Sequence, residues 1–376
     1  MKIVFTGGGT GGHFYPIIAI TQRVNQIISH EHILGAKLYY ISDGPYDKKM
    51  LMENELLYEE ISTGKMRTYF SFRNFSDIFK TFFGIINAIF KLFSIYPDVV
   101  FGKGGYASFP IIFAARILRI PVIIHESDTV PGRVNKWAGH FAKKIAISFP
   151  EAIEYFPKEK TAWTGQPILT EREHPAPRKE ALEYFKLEEG LPVVVIIGGS
   201  QGAELINNTV LDALPRLIEN YQIIHHTGVK NFTTVSGQAE VGLADNKHKS
   251  RYLPIAYLNS LQMKMAAGAA NIIVSRAGST ISEIASWGVP SIIIPITTTN
   301  GDHQRKNAFS YARAGACSVI EEANMTANIL NGEIERILND KTGYERMAQS
   351  AKAFGKQGAA EKIARELVDI ALSHEK

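Results

Sequence analysis

The chain contains one cysteine in 376 residues. Cys317 therefore has no internal disulfide partner, and it stands in no Cys/His cluster of metal-ligand spacing, which disfavours a stapled secreted fold and a zinc site. No run of about 18 uncharged apolar residues occurs, so the sequence predicts no membrane-spanning helix. Charge of one sign is not in excess either. A net charge of +4 is too small to point to nucleic acid, although a mildly basic surface suits anionic ligands or anionic lipid headgroups. The lone cysteine favours a reducing compartment, with the cytoplasm as the expected one, and the N-terminus, Met1-Lys2-Ile3-Val4-Phe5-Thr6-Gly7, has no signal-peptide core and reads as a first β-strand.

What is present is ordinary globular composition, 45% hydrophobic and 21% charged, in a chain long enough for two domains with independent cores. A strand-like run followed by glycines opens each half, as KIVFTGGGTGGH from Lys2 and as LPVVVIIGGSQGA from Leu191. Apolar runs at Leu38 to Ile41, Asp98 to Phe101, Pro121 to His125, Gln222 to His226, Asn271 to Ser275 and Ser291 to Pro295 alternate with helix-length segments. Continuous apolar strands alternating with helices indicate parallel sheets covered on both faces. The predicted fold class is α/β, with two Rossmann-like, doubly wound parallel-sheet domains facing a central cleft. The charged, proline-bearing stretch after Thr164-Gly165-Gln166-Pro167 sets the expected limits at 1–164 and 165–345. Residues 346–376 read as a C-terminal helix able to pack back on the first domain.

In such sheets ligands sit beyond the carboxyl ends of the strands, and glycines let backbone N–H groups and a helix N-terminus approach an anion. Each half thus has a candidate phosphate cradle, though glycines serve tight turns equally well. Thr10, Gly11 and Gly12 continue the first loop, and Pro16 suits the first turn of a helix with His13 just before it. A histidine there is either a structural side chain or a general base near neutral pH. Ser200, in the second loop, offers a hydroxyl to a phosphate oxygen or caps the following helix. A third cluster, Ser279, Thr280, Ile281, Ser282 and Glu283, follows an apolar run and opens a helix ending near Gly288-Val289-Pro290. Glu283 either closes a capping box with Thr280 or accepts hydrogen bonds from ribose hydroxyls.

The segment Lys65 to Tyr96 carries ten aromatic residues, five basic residues and one acid. Phe75, Phe79, Phe82, Ile86, Ile89 and Phe93 recur at helical spacing, and Ile78, Phe83 and Phe90 widen the apolar surface beyond one stripe. One reading packs these aromatics under a loop of the first domain. The other lays Phe75, Phe79, Phe82, Phe83 and Ile86 in a headgroup layer, with the lysines and arginines facing anionic lipid.

Eight motifs in order carry a resemblance over nearly the whole chain: GGGTGGHFYP from Gly7, GKGGYASFP from Gly102, HESDTVPGRVN from His125, TGQP from Thr164, GGSQGAELIN from Gly198, HHTG from His225, SRAGSTISEIASWGVPSIIIP from Ser275 and DHQRKNA from Asp302. In these the chain resembles the N-acetylglucosaminyltransferases that complete lipid II in peptidoglycan synthesis, and through them cell shape and division. The resemblance implies a GT-B fold and an inverting, metal-independent transfer from UDP-N-acetylglucosamine to lipid I, without a cofactor. The absence of any Asp-x-Asp agrees with that. It implies His13 as base, and Thr10, Gly11, Gly12, Asp128, Ser200, Leu258, Ser279 to Glu283 and Gln304 as donor contacts, with Leu258 near the uracil and Gln304 at the sugar hydroxyls. Lys103, Gly104, Gly105 and Tyr106 resemble the acceptor-diphosphate site, a plain strand–helix turn being the rival. Implied partners are undecaprenyl-linked lipid I, anionic inner-leaflet lipids and other cell-wall synthesis proteins, at the cytoplasmic face of the bacterial cell membrane. Asp128 stands where the family usually has Asn, which bears on donor selectivity, because a carboxylate cannot donate an amide hydrogen. Leu169 stands where an arginine is usual, with Arg172 nearby but out of register. Rival functions are another GT-B glycosyltransferase with a lipid acceptor, a UDP-sugar 2-epimerase, or a non-catalytic binding subunit.

Overall fold

The computed structural model describes residues 1–8, 10–64, 73–198, 203–296 and 302–373. Ser200 and its loop lie outside the described residues, as do Lys65, Arg67 and the side chains of Arg73 and Phe75. The chain divides into two compact units, Met1–Leu169 with Gly358–Lys376, and Thr170–Gln357.

The first unit is built on seven strands: β1 Lys2–Thr6, β2 Lys37–Ser42, β3 Leu56–Glu60, β4 Val99–Gly102, β5 Val122–Glu126, β6 Lys144–Ile147 and β7 Thr161–Trp163. They pair in the order β3-β2-β1-β4-β5-β6-β7, every pair parallel. Alternate residues of β1 serve opposite faces, as the pleat requires. Ile3 and Phe5 join a core with the helices Gly11–His30 and Ala359–Leu372, while Val4 joins Val100, Ile124 and the helices Arg73–Ile95 and Phe109–Ile117. A sheet buried on both faces explains why its strands lack polar alternation. The second unit repeats the plan with β8 Val193–Ile197, β9 Gln222–His226, β10 Tyr252–Ile255, β11 Ile272–Ser275, β12 Ser291–Ile293 and β13 Ser318–Val319. Their order is β10-β9-β8-β11-β12-β13, again wholly parallel.

The C-terminal segment is two helices with different allegiances, not one from residue 346. Lys341–Phe354 packs on the helix Thr280–Trp287 in the second unit, and only Ala359–Leu372 belongs to the first. Composition explains the split. Along Ala359–Leu372 the buried positions Ala360, Ile363, Ala364, Leu367, Val368 and Ala371 form a continuous apolar face, whereas Lys341–Phe354 fully buries only Ala351. Ion pairs Arg365–Glu31 and Lys144–Glu366 flank the packed face.

Among its described side chains the helix Arg73–Ile95 buries a narrow stripe, Gly84, Ala88 and Leu92. A Cβ on Gly84 would lie 2.1 Å from the Ser62 carbonyl oxygen, so only glycine permits that crossing. Ala88 and Leu92, four and eight residues on, complete the buried line against the helix Phe109–Ile117. The described phenylalanines are left outside. Phe79, Phe82, Phe83, Phe90 and Phe93 are between 51% and 69% exposed, while Ile86 is half-buried. These side chains do not pack under a loop.

Leu367 is wholly buried against the helix Gly11–His30 and the first sheet. Leu367→Ala is expected to lower the stability of the first unit by about 2–5 kcal/mol, the usual cost of a buried leucine-to-alanine cavity, measured by urea denaturation.

Candidate functional site

Strand order reverses between β1 and β4 in the first sheet and between β8 and β11 in the second. At such a switch point the connecting chains leave to opposite faces and open a crevice beyond the carboxyl ends of the two strands. The sequence-predicted residues His13 and Lys103 to Tyr106 follow β1 and β4, and Ser279 to Glu283 follow β11.

In the first unit the helix begins at Gly11, earlier than the position of Pro16 suggested. The Thr10 carbonyl accepts from the amides of His13 (3.1 Å) and Phe14 (3.2 Å), so His13 lies inside the first turn and Pro16 inside the helix. The proline ring withholds the amide that would otherwise meet the Gly12 carbonyl. The Thr10 side chain makes no cap. Its hydroxyl lies 3.1 Å from His13 Nδ1. With the proton on Nδ1, that contact fixes the ring and leaves Nε2 as an acceptor. Gly105, at φ +83°, passes beside the ring, and a Cβ there would stand 3.5 Å from Nε2. Burial, then the nearby Lys103 ammonium, lower the His13 pKa to about 4. The imidazole is therefore neutral at physiological pH and competent to take a proton.

Lys103 is itself buried, its backbone amide donating to the Thr6 carbonyl at 2.9 Å and its Nζ to Ser127 Oγ. Burial lowers its pKa to about 8 against the opposing pull of Glu126 and Asp128. Ser127 Oγ donates to Gln166 Oε1 at 3.0 Å and Ser148 Oγ to the same atom at 2.8 Å. His125 Nε2 lies 3.0 Å from the Gly165 carbonyl oxygen. Thus β4, β5, β6 and the segment after β7 end in one polar row. Glu126 is fully engaged: Oε1 accepts from the amides of Ser127 (2.8 Å) and Asp128 (3.0 Å), and Oε2 from the Gly132 amide (3.0 Å) and Asn135 Nδ2 (2.9 Å). Its pKa is raised by burial and by the Asp128 charge. Its work is to shape the loop that presents half-buried Asp128. Tyr106 donates its hydroxyl to Asp43 Oδ2 at 2.6 Å. Glu126, Ser127, Ser148, Gln166 and Asp43 were not singled out from sequence. All but Asp43 and Ser148 lie within the motifs HESDTVPGRVN and TGQP.

In the second unit Ser279 precedes the helix Thr280–Trp287 without a side-chain cap, and Gly288 ends it at φ +67°. No capping box forms, because Glu283 turns instead to Arg172, Nη1 to Oε1 3.4 Å. Burial raises the Glu283 pKa, and the Arg172 guanidinium opposes that rise. Ile281 is wholly buried and its amide bonds the Gly278 carbonyl at 3.1 Å, so neither its side chain nor its N–H is offered to a ligand. Ser282 likewise spends its amide on the Ser279 carbonyl at 3.1 Å. Leu258 is buried, which leaves its backbone as the part able to meet a base. Gln304 Oε1 accepts from the Ile296 amide at 3.1 Å, which keeps its NH2 group as a donor. Leu169 is a core residue of the first unit. Among the described residues no group of three His, Cys, Asp or Glu side chains is arranged to hold a metal.

An NMR pH titration is expected to place the midpoint of the His13 ring signals near pH 4. In Lys103→Met it is expected to move upward toward the ordinary histidine value, since removing a neighbouring positive charge favours the imidazolium.

Residues 3–147 match the glycosyltransferase family 28 N-terminal domain and residues 193–363 its C-terminal domain. A relative from Halothermothrix orenii is 36% identical over 380 aligned positions, covering 99% of each chain. One from Pediococcus pentosaceus is 35% identical over 366, covering 96% of this chain and 98% of the relative. Both are named UDP-N-acetylglucosamine--N-acetylmuramyl-(pentapeptide) pyrophosphoryl-undecaprenol N-acetylglucosamine transferase. The crystal structure of Acinetobacter baumannii MurG superimposes with a TM-score of 0.75 at 24% identity, over 98% of this chain and 99% of that one, a likeness of fold. With both family domains in place and full-length identity above one third, the chain belongs to glycosyltransferase family 28, among its N-acetylmuramyl-(pentapeptide) pyrophosphoryl-undecaprenol N-acetylglucosamine transferases.

Proposed function

We propose that this chain transfers N-acetylglucosamine from UDP-N-acetylglucosamine to the C4 hydroxyl of the N-acetylmuramyl residue of lipid I, forming lipid II with inversion at the transferred carbon. The observation that carries the reading is the His13 imidazole, its Nδ1 3.1 Å from the Thr10 hydroxyl, held at the switch point of the first sheet in a member of this transferase family. The acceptor oxygen attacks C1 of the sugar, the bond from C1 to the diphosphate oxygen breaks, and UDP leaves with the electron pair. The hydroxyl proton passes to His13 Nε2 while Nδ1–H stays on Thr10. Lys103 and the Gly104–Gly105 backbone serve the acceptor diphosphate, and Asp128 accepts from a sugar hydroxyl. On the donor side the Ser200 loop and Ser279 serve the diphosphate, Thr280 the nucleoside, Glu283 the ribose, the Leu258 backbone the uracil and Gln304 the sugar. His13→Ala is expected to lower kcat by roughly 10²–10⁴ while leaving UDP-N-acetylglucosamine affinity unchanged, read from radiolabelled sugar incorporated into a lipid I analogue. No lipid-linked product from the wild-type chain, with UDP-glucose run alongside as a competing donor, would sink the assignment.

The same reading places the chain at the inner face of the cell membrane, held peripherally. No helix among the described residues is long and apolar enough to cross a bilayer. Support comes from the exposed phenylalanines of the helix Arg73–Ile95 and from exposed Lys80 beside them. It comes also from the half-buried stack Phe109, Phe113, Trp137 and Phe141, with Arg116 over the Phe141 ring at 5.2 Å. Aromatic edges ringed by cations suit an anionic headgroup layer. Replacing Phe79, Phe82 and Phe83 together by serine is expected to weaken co-sedimentation with anionic vesicles by about tenfold or more, with the fold intact. Undiminished binding by the folded variant would reject the patch.

A further inference from the structure

We infer that Arg172 is a positioning residue for nucleotide recognition: its guanidinium holds one oxygen of the Glu283 carboxylate so that the other oxygen meets the ribose hydroxyls of the donor. The inference deepens the proposed function and rests on its placing of Glu283 at the ribose.

Arg172 closes a short turn, Thr170–Arg172, at the start of the second unit, and is buried. Its side chain and its main chain both fasten to the helix that carries Glu283. The Arg172 carbonyl accepts from Trp287 Nε1 at 2.7 Å, and the Glu173 carbonyl accepts from Ser286 Oγ at 2.9 Å. Positions 283, 286 and 287 stand at i, i+3 and i+4, one face of the helix, so a single docked segment grips all three. The guanidinium then has two fixed acceptors: Nε donates to Ser260 Oγ at 3.1 Å, and Nη1 reaches Glu283 Oε1 at 3.4 Å. A planar fork serves two such acceptors at once, which a lysine ammonium on a flexible stem does less well.

Among the described residues Glu283 Oε1 is bonded to Arg172 and Oε2 makes no hydrogen bond. A carboxylate recognises a vicinal diol as an acceptor, which requires it ionised and held in one orientation. Burial works against ionisation here and the guanidinium opposes that effect. The residue thus acts through Glu283 and touches no reacting atom. It also gives Arg172 a task that its sequence position, three residues from the usual site of a family arginine, did not suggest.

The test measures affinity of the full chain for UDP and for 2′,3′-dideoxy-UDP by calorimetry. Glu283→Gln is expected to erase most of the wild-type preference for UDP. Arg172→Met is expected to do the same, weakening UDP by about ten- to hundredfold, the range for a hydrogen bond to a charged group, and the dideoxy analogue by no more than about twofold. Arg172→Lys, which keeps the buried charge, should fall between and carries the same test if the methionine variant does not fold. In the transfer assay the donor KM should rise with kcat held. If Glu283→Gln loses the preference while both Arg172 variants keep it, the inference fails and the ribose reading stands. If Glu283→Gln keeps the preference, the ribose reading fails and the inference with it. A parallel loss of both ligands in the folded Arg172 variants would mark a merely structural role and also overturn the inference.

Discussion

All strands within a sheet run one way, so every carboxyl end of that sheet opens on the same edge, and the reversal of strand order parts the connecting loops at one place along it. The rest of the molecule depends on that constraint. Backbone groups inside each sheet are paired and its faces are covered, which leaves the loops at the carboxyl edge as the positions where glycine, hydroxyl and charge can be gathered. His13, Lys103, Ser127, Ser148 and Gln166 all lie just past strand ends of the first sheet. Ser279 and Glu283 lie past a strand end of the second.

Charge is managed differently at the two switch points. In the first unit a buried ammonium and a buried carboxylate, Lys103 and Glu126, stand near one another without direct pairing, and each is satisfied by neutral hydroxyl, amide or backbone partners. Ion burial without such partners is costly. Burial first, and the Lys103 charge after it, hold His13 neutral, while Glu126 and Asp128 favour the charged form of Lys103. In the second unit the pairing is direct, Arg172 to Glu283, and it fixes a carboxylate rather than tuning a base.

The helix Arg73–Ile95 shows how packing can create an exposed apolar surface. Among the described residues its contact line is Gly84, Ala88 and Leu92, and at Gly84 the Ser62 backbone comes too close for any side chain. Close approach of a thin stripe leaves the wide aromatic rows facing outward, where they would be a liability for a protein that met only water.

The sequence by itself determined the class of the fold, the glycines at the end of the first strand and the strand–helix turn that opens the third cluster, because those features are local: an apolar run buried on both faces, glycines at a strand end, a helix stopped by Gly288. It determined the family as well, through motifs held in order along the chain. Other features waited on tertiary structure. The hydroxyl–amide row joins Ser127 to Gln166 across 39 residues, and the carboxylate clamp joins Arg172 to Glu283 across 111. Periodicity along one segment holds no information about such pairs, since each is set by which strand ends and helix faces the sheet order brings together. The same limit applies within a helix. Helical spacing marked Phe79, Phe82 and Phe83 as a surface, but only the crossing at Gly84 decided that this surface faces outward. The start of the helix at Gly11, set by amides closing on the Thr10 carbonyl, put His13 in its first turn rather than ahead of it.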